Sequence, residues 1–256
     1  FASTRIVALD EEEKLLGQYS RNADAAKTRL QLEETAITTA INSLQRLREL
    51  AVQTANGTNS PDDRVAISEE AFQIMEGLLQ VSNTVDANGE YLFSGDRTTT
   101  RAFVHDGAGT FTYQGDQGQR LVQIGKSRQI VTGDSGYDVF ENVPAAAGAT
   151  NLMRIAYDYA NALSAGTQNP DSIGDIDAAL NQLIGKRSQI GGRINAIDSE
   201  MSANESFTLT IQENRSKLAD LDYADAISRF QQQLAGLQAA QQSFVQIQGL
   251  SLFNYI

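Results

Sequence analysis

The sequence predicts a mainly α-helical protein with a small β insert: an elongated antiparallel helical bundle or coiled coil with a β-rich cap. Three observations predict it. Apolar residues recur at alternating steps of three and four along two long stretches, one on each side of the middle of the chain. Ten of the 20 glycines crowd between Gly89 and Gly148. The flanking stretches are rich in helix formers. The predicted divisions are residues 1–89 and 151–220 as the two halves of a helical rod, 90–150 as the insert, and 221–256 as a terminal helix.

The first helix is predicted from about Ser3 to Ala55. Its seam runs Leu9, Glu12, Leu16, Tyr19, Ala23, Ala26, Leu30, Glu33, Ile37, Ala40, Leu44, Leu47, Ala51 and Thr54, and 11 of these 14 positions are apolar or Tyr. At 1.5 Å per residue such a helix is about 80 Å long, so an elongated molecule is expected. The stretch NGTNSPDD stops it. Ser60 is placed to cap the next helix, Pro61 to open it, and Asp62 and Asp63 to sit at its positive end. That second helix is predicted to reach about Asn88. Ile67, Ala71, Ile74, Leu78, Val81 and Val85 form its seam, widened by Phe72, Met75 and Leu79 for packing on two sides.

From Glu90 the period changes. FVHDGAGTFTYQGD reads as a hairpin turning at Gly107 and Gly109, and RLVQIGKSRQIVTGDSGYDVF offers two more short strands. Helix resumes over Asn151–Ala165. GTQNPDS then restarts it, with Asn169 as the expected cap. The following seam runs Ile173, Ile176, Leu180, Leu183, Arg187, Ile190, Ile194, Ile197, Met201, Asn204, Thr208, Ile211, Arg215 and Leu218. Asp220, Asp222 and Asp225 suggest a helix junction, and the seam restarts as Tyr223, Ile227, Phe230, Leu234, Leu237, Gln241, Phe244 and Gln248.

Composition narrows the function. The chain of 256 residues has a net charge of −12 and a pI near 4.5. That balance argues against nucleic acid, whose phosphates need clustered Lys and Arg. There is no Cys, hence no disulfide, thiolate metal site or cysteine nucleophile. A chain without Cys suits passage from a reducing to an oxidising space. No secretory signal opens the sequence, and no initiator Met, so a processed or truncated chain lacking an N-terminal piece is expected.

Chemistry-bearing motifs are scarce. GKS at Gly125–Ser127 lacks the upstream glycine of a phosphate loop, where Arg120 stands instead. His105 is the one histidine, so neither a His pair for zinc nor a Ser-His-Asp site can be assembled. Asp106, Asp116 and Asp134 could serve an enzyme grafted onto the insert, but nothing in the sequence brings them together. Asn56, Asn204 and Asn214 match a glycosylation triplet that is common by chance. No enzyme, cofactor or metal is expected.

The tail carries the strongest signal. Residues 230–256 contain no Asp, Glu, Lys or Arg and eight Gln. A solvated helix normally sets Lys and Glu opposite its apolar stripe. Charge is excluded where every face meets protein, because an unpaired buried charge is very costly, whereas a Gln amide can bond in any direction. Eight Gln also rule out a membrane span. Tyr223, Ile227, Phe230, Leu234, Leu237, Phe244, Leu250, Leu252 and Phe253 are therefore the candidate assembly residues, to be surrounded by other helices. Packing inside its own domain is the alternative.

DANGEYLFSGDRTTTRAF supplies a further pattern: N-G-x-Y-x-F-x-G at Asn88, Gly89, Tyr91, Phe93 and Gly95, followed by Phe103. With NGTNSPDDR, YQGDQGQR, GYDVF, DLDYADAI and the ending LSLFNYI in order, the chain resembles the bacterial flagellar hook–filament junction family, hook-associated protein 3, of flagellin-like type. The resemblance covers essentially all residues. It implies an extracellular structural protein of the flagellum, exported unfolded through the flagellar type III channel. It also implies a ring of copies between a hook-side junction protein and flagellin, and an export chaperone on the C-terminal helix. A flagellin filament subunit is the alternative of the same architecture. Family members begin with a further helix that pairs with the C-terminal one, and Phe1 is expected to follow it.

Overall fold

Residues 2–57 and 59–249 are described by the structure, a computed structural model. The elements are α1 (Ala2–Ala55), α2 (Pro61–Ser82), β1 (Phe103–His105), β2 (Phe111–Tyr113), β3 (Leu121–Gln123) and β4 (Gln129–Val131). A π-helical turn (Tyr137–Glu141), β5 (Val143–Ala145), β6 (Gly148–Thr150), α3 (Leu152–Ser164) and α4 (Ser172–Gly249) follow. They form two compact units, one of Tyr19–Ser202 and one of Phe1–Gln18 with Ala203–Ile256.

In the larger unit the predicted seams are the core. Leu30, Ile37, Leu44 and Leu47 of α1 and Ile176, Leu183, Ile190 and Ile197 of α4 are fully buried. The two helices run antiparallel. Lys27 Nζ meets Asp198 at 2.7 Å and Arg48 Nε meets Asp177 at 2.6 Å, so 21 residues on one helix match 21 on the other. Both pairs lie beside the seam and mark its register. They add little energy, because half-exposed ion pairs are screened.

Ser60 caps α2 as expected: its hydroxyl accepts from the Asp63 amide, and the Asp63 carboxylate accepts from Ser60 N–H. The predicted end of this helix needs correction, because α2 stops at Ser82. The Asn83 side chain donates to the Leu79 and Phe103 carbonyls and accepts from Phe103 N–H, which turns the chain out of the helix. Asp86 then caps the amides of Asn88 and Glu90, and Gly89 takes φ +79°, a conformation that side chains resist. Val85 thereby leaves the helical seam and bridges Tyr91 instead.

The insert is three separate antiparallel hairpins, β1–β2, β3–β4 and β5–β6. Gly107 and Gly109 turn the first at φ +81° and +92°, as predicted. The third, over VPAAAGAT, went unforeseen because Pro, Ala and Gly give no strand signal. RLVQIGKSRQIVTGDSGYDVF gives the two short strands expected, β3 and β4, and GYDVF at its end forms the π-helical turn. Its Phe140 stands edge-on to Phe93 at 4.9 Å and to Phe103 at 5.9 Å, an aromatic cluster continuous with the core of the helices. Side chains fasten this insert to the helices. Asn22 of α1 donates to Gln123 O, Gln182 of α4 to the Asp138 and Val139 carbonyls, and Arg154 of α3 to Gly109 O.

Asn151 caps α3 through the Met153 amide. Before α4, Asn169 makes a turn, accepting from Asp171 N–H, and the helix starts at Ser172 rather than directly after Asn169. Once started, α4 runs unbroken to Gly249 through Asp220, Asp222 and Asp225, so those acidic residues end no helix. In the smaller unit α1 and α4 are again antiparallel. Arg215 contacts Asp10 at 3.0 Å and Gln212 contacts Glu13 at 2.7 Å. Leu16 and Ile211 are buried there.

Candidate assembly interface

The last described stretch of α4 reads YADAISRFQQQLAGLQAAQQSFVQIQG. Ala, Leu and Gln favour helix, and Asp225 supports its start by pairing with Arg229 at 2.7 Å, one turn on. Arg229 is the last charged residue of the chain. From Tyr223 to Gln248 every residue is exposed. The reason is geometric. In the smaller unit Arg215 stands beside Asp10, and eight residues further along α4 Tyr223 is level with Ala2, the first described residue of α1. Beyond that level no described residue of α1 lies alongside. An open hollow of about 330 Å³ marks the place, lined by Ile6, Ala219, Tyr223 and Ala226.

The structure brings six of the nine candidate assembly residues onto this helix, all exposed: Tyr223 at 73%, Ile227, Phe230 at 63%, Leu234 at 40%, Leu237 and Phe244. Leu250, Leu252 and Phe253 lie outside the described residues. Sequence reasoning missed Val245 and Ile247, which are exposed at 67% and 68% beside the seam. It also missed Phe207 and Leu209 of α4 and Val7 and Leu15 of α1, exposed apolar residues in the smaller unit. The available signal was apolar residues off the seam, which one helix pair cannot cover.

The motif residues sit in the insert and in the turn that leads into it. Phe93 and Phe103 are fully buried, Asn88 and Gly89 form the Asp86 turn, and the Tyr91 amide donates to Thr98 O. Gly95 has φ +67° and lies so close to Asp116 that no β-carbon fits. The Tyr113 hydroxyl donates to the Phe93 and Asp116 carbonyls, and burial pushes it up to about 12.

The carboxylates considered for chemistry are engaged apart from one another. Asp106 accepts from the Thr110 and Ala108 amides, which hold it down at about 2. Asp116 accepts from the Asp96 and Gly118 amides, which likewise lower it. Asp134 pairs with Arg193. His105 stacks on Phe111 at 4.3 Å, and GKS is the tip of the β3–β4 hairpin. Among the described residues no group of three or more His, Asp or Glu is placed to hold a metal ion, and no helix is long and apolar enough to cross a membrane.

Two family regions match the chain: the bacterial flagellin N-terminal helical region over residues 2–98 and its C-terminal helical region over residues 173–256. Between them they take in more than two thirds of the chain and both long helices. The chain belongs to the flagellin family. This family member is a structural component of the bacterial flagellum. It is similar to flagellar hook-associated protein 3 of Escherichia coli K12, at 28% identity over 99% of this chain and 85% of that protein. The protein of the same name in Salmonella typhimurium is 25% identical over the same shares. The crystal structure of flagellar hook-associated protein 3 from Legionella pneumophila has the same fold, with a TM-score of 0.79, 20% identity and coverage of 84% of this chain and 99% of that one. These relatives are structural flagellar proteins.

Proposed function

We propose that this flagellin-family chain is the adaptor that joins a hook-side junction protein to the flagellin filament, as a ring of copies held by helix packing. The observation that carries the reading is the terminal stretch of α4: continuous helix, uncharged after Arg229, with Tyr223, Ile227, Phe230, Leu234, Leu237 and Phe244 exposed along one seam. Leu250, Leu252 and Phe253 continue the apolar pattern in sequence. An apolar helix with no charged face gains most when other helices enclose it. Each large seam residue contributes roughly 1.5–3 kcal/mol when fully buried, an upper bound because the unfolded chain already buries some apolar surface. Val7, Leu15, Phe207 and Leu209 extend the surface along the smaller unit. The likeness to hook-associated proteins over 99% of the chain favours a junction over a bulk filament role.

The same reading includes unfolded export through the flagellar type III channel to the cell exterior, with a chaperone on the C-terminal helix. A chain free of Cys threads without cross-links. The second reading, a filament flagellin, is favoured by the family regions alone.

Counting copies on intact flagella separates the two. Immunogold labelling of purified hook–filament structures is expected to mark a single narrow band at the base of each filament. Label spread along the whole filament assigns the bulk role instead.

A further inference from the structure

We propose that Glu33 holds a proton in the folded protein and that its loss releases the 131–134 segment of the insert from α1, a latch that alkaline conditions open. Glu33 occupies a seam position in the middle of α1 and is 1% exposed. Its Oε1 accepts from the Asp134 amide at 2.9 Å, which ties the end of the β3–β4 hairpin to the helix. Its Oε2 is buried and has no hydrogen-bond partner. A buried carboxylate with one bare oxygen is costly when ionised and far less so when neutral.

The surrounding charges are already matched without it. Asp134 pairs with Arg193 of α4. Arg29, one turn before Glu33 on α1, pairs with Asp86 at 3.0 Å and lies 3.7 Å from Glu90, which Arg120 approaches at 3.7 Å. Three guanidinium groups thus face Asp134, Asp86 and Glu90, and an ionised Glu33 would be a fourth carboxylate. Burial, then the Asp134 charge, raises the Glu33 carboxyl from 4.5 to about 8, against the opposing pull of the Asp134 amide, Arg193 and Arg29.

The direction follows from linkage. Unfolded, Glu33 has lost its proton above about 4.5, whereas folded it keeps that proton up to about 8. Between these values the folded state binds more protons, so stability falls as pH rises and levels off above 8. What covers Oε2 is the hairpin end itself: a β-carbon built on Gly133 would sit 3.7 Å from Oε2 and 3.5 Å from Arg29 Nε. An ionised Glu33 reaches water when Gly133 and Asp134 lift.

Carboxyl-carbon NMR of the full chain reads the proton directly. The Glu33 signal is expected to titrate with a midpoint near 8, and the amide signals of residues 131–134 should move with the same midpoint. A Glu33 midpoint in the ordinary carboxylate range overturns the proposal, and so do amides that stay still while Glu33 titrates. Glu33→Gln keeps the shape and the acceptor for Asp134 N–H without the charge. Its melting temperature should match the native chain near pH 5 and exceed it by roughly 5 °C or more at pH 8.5, given about 2–4 °C per kcal/mol in a chain of this size. Equal pH profiles for the two proteins count against the latch. Should Glu33→Gln fail to fold, the NMR titration of the native chain still decides.

Discussion

Two stretches of the same helix, α4, follow one apolar rhythm and meet opposite fates. Over residues 172–202, Ile176, Leu183, Ile190 and Ile197 are fully buried against the larger unit. Over residues 223–248, Ile227, Phe230, Leu234 and Leu237 stand in solvent. The first stretch carries Asp177, Arg193 and Asp198, each in an ion pair that fixes what it packs against. The second has no charge after Arg229. The comparison teaches that a seam alone does not say what it packs against. The opposite face says more: over the first stretch its charges find partners on α1 and the insert, whereas it is neutral where protein is expected on all sides.

The comparison can be tested from its largest effect down. Replacing Leu234 and Leu237 together by Asp should abolish motility and filament attachment in a strain lacking the native gene, with the thermal unfolding of the remaining helices unchanged. Normal filaments on that variant would remove the tail from the assembly surface. Leu44→Ala, at a fully buried seam position of α1, should cost about 2–5 kcal/mol in urea unfolding. Its contrast with Leu234→Ala is the sharpest check, because an exposed leucine should cost almost nothing in the isolated chain. Ser60→Ala removes half of the capping box and should cost about 1 kcal/mol. Arg48→Ala breaks a half-exposed ion pair and should cost less than about 1 kcal/mol. A larger loss there would mean that the pair, not the seam, sets the register.

Much of this was legible in the sequence, because it rests on periodicity and local caps. The α1 seam named from spacing is buried from Leu16 to Thr54. Ser60 caps α2 as its place before Pro61 and two Asp predicted. What escaped depended on distant partners. The end of α2 is set by Asn83 bonding to Phe103, 20 residues away. The β5–β6 hairpin comes from a stretch of Pro, Ala and Gly that acquires strand geometry beside α4, where Asp175 accepts from Ala146 N–H. Glu33 read as a polar interruption of a seam, and its weight became visible only with Asp134 and Arg193 around it.

By itself the sequence determined the helix-insert-helix order, the two seams and the neutrality of the tail, since each depends on residues within a few turns of one another. Tertiary structure alone decided the antiparallel register, the docking of three hairpins by single side chains, and the crowding of four carboxylates about three guanidinium groups. Those outcomes depend on free energies between residues from about 30 to 171 positions apart, and local pattern carries no record of such distances.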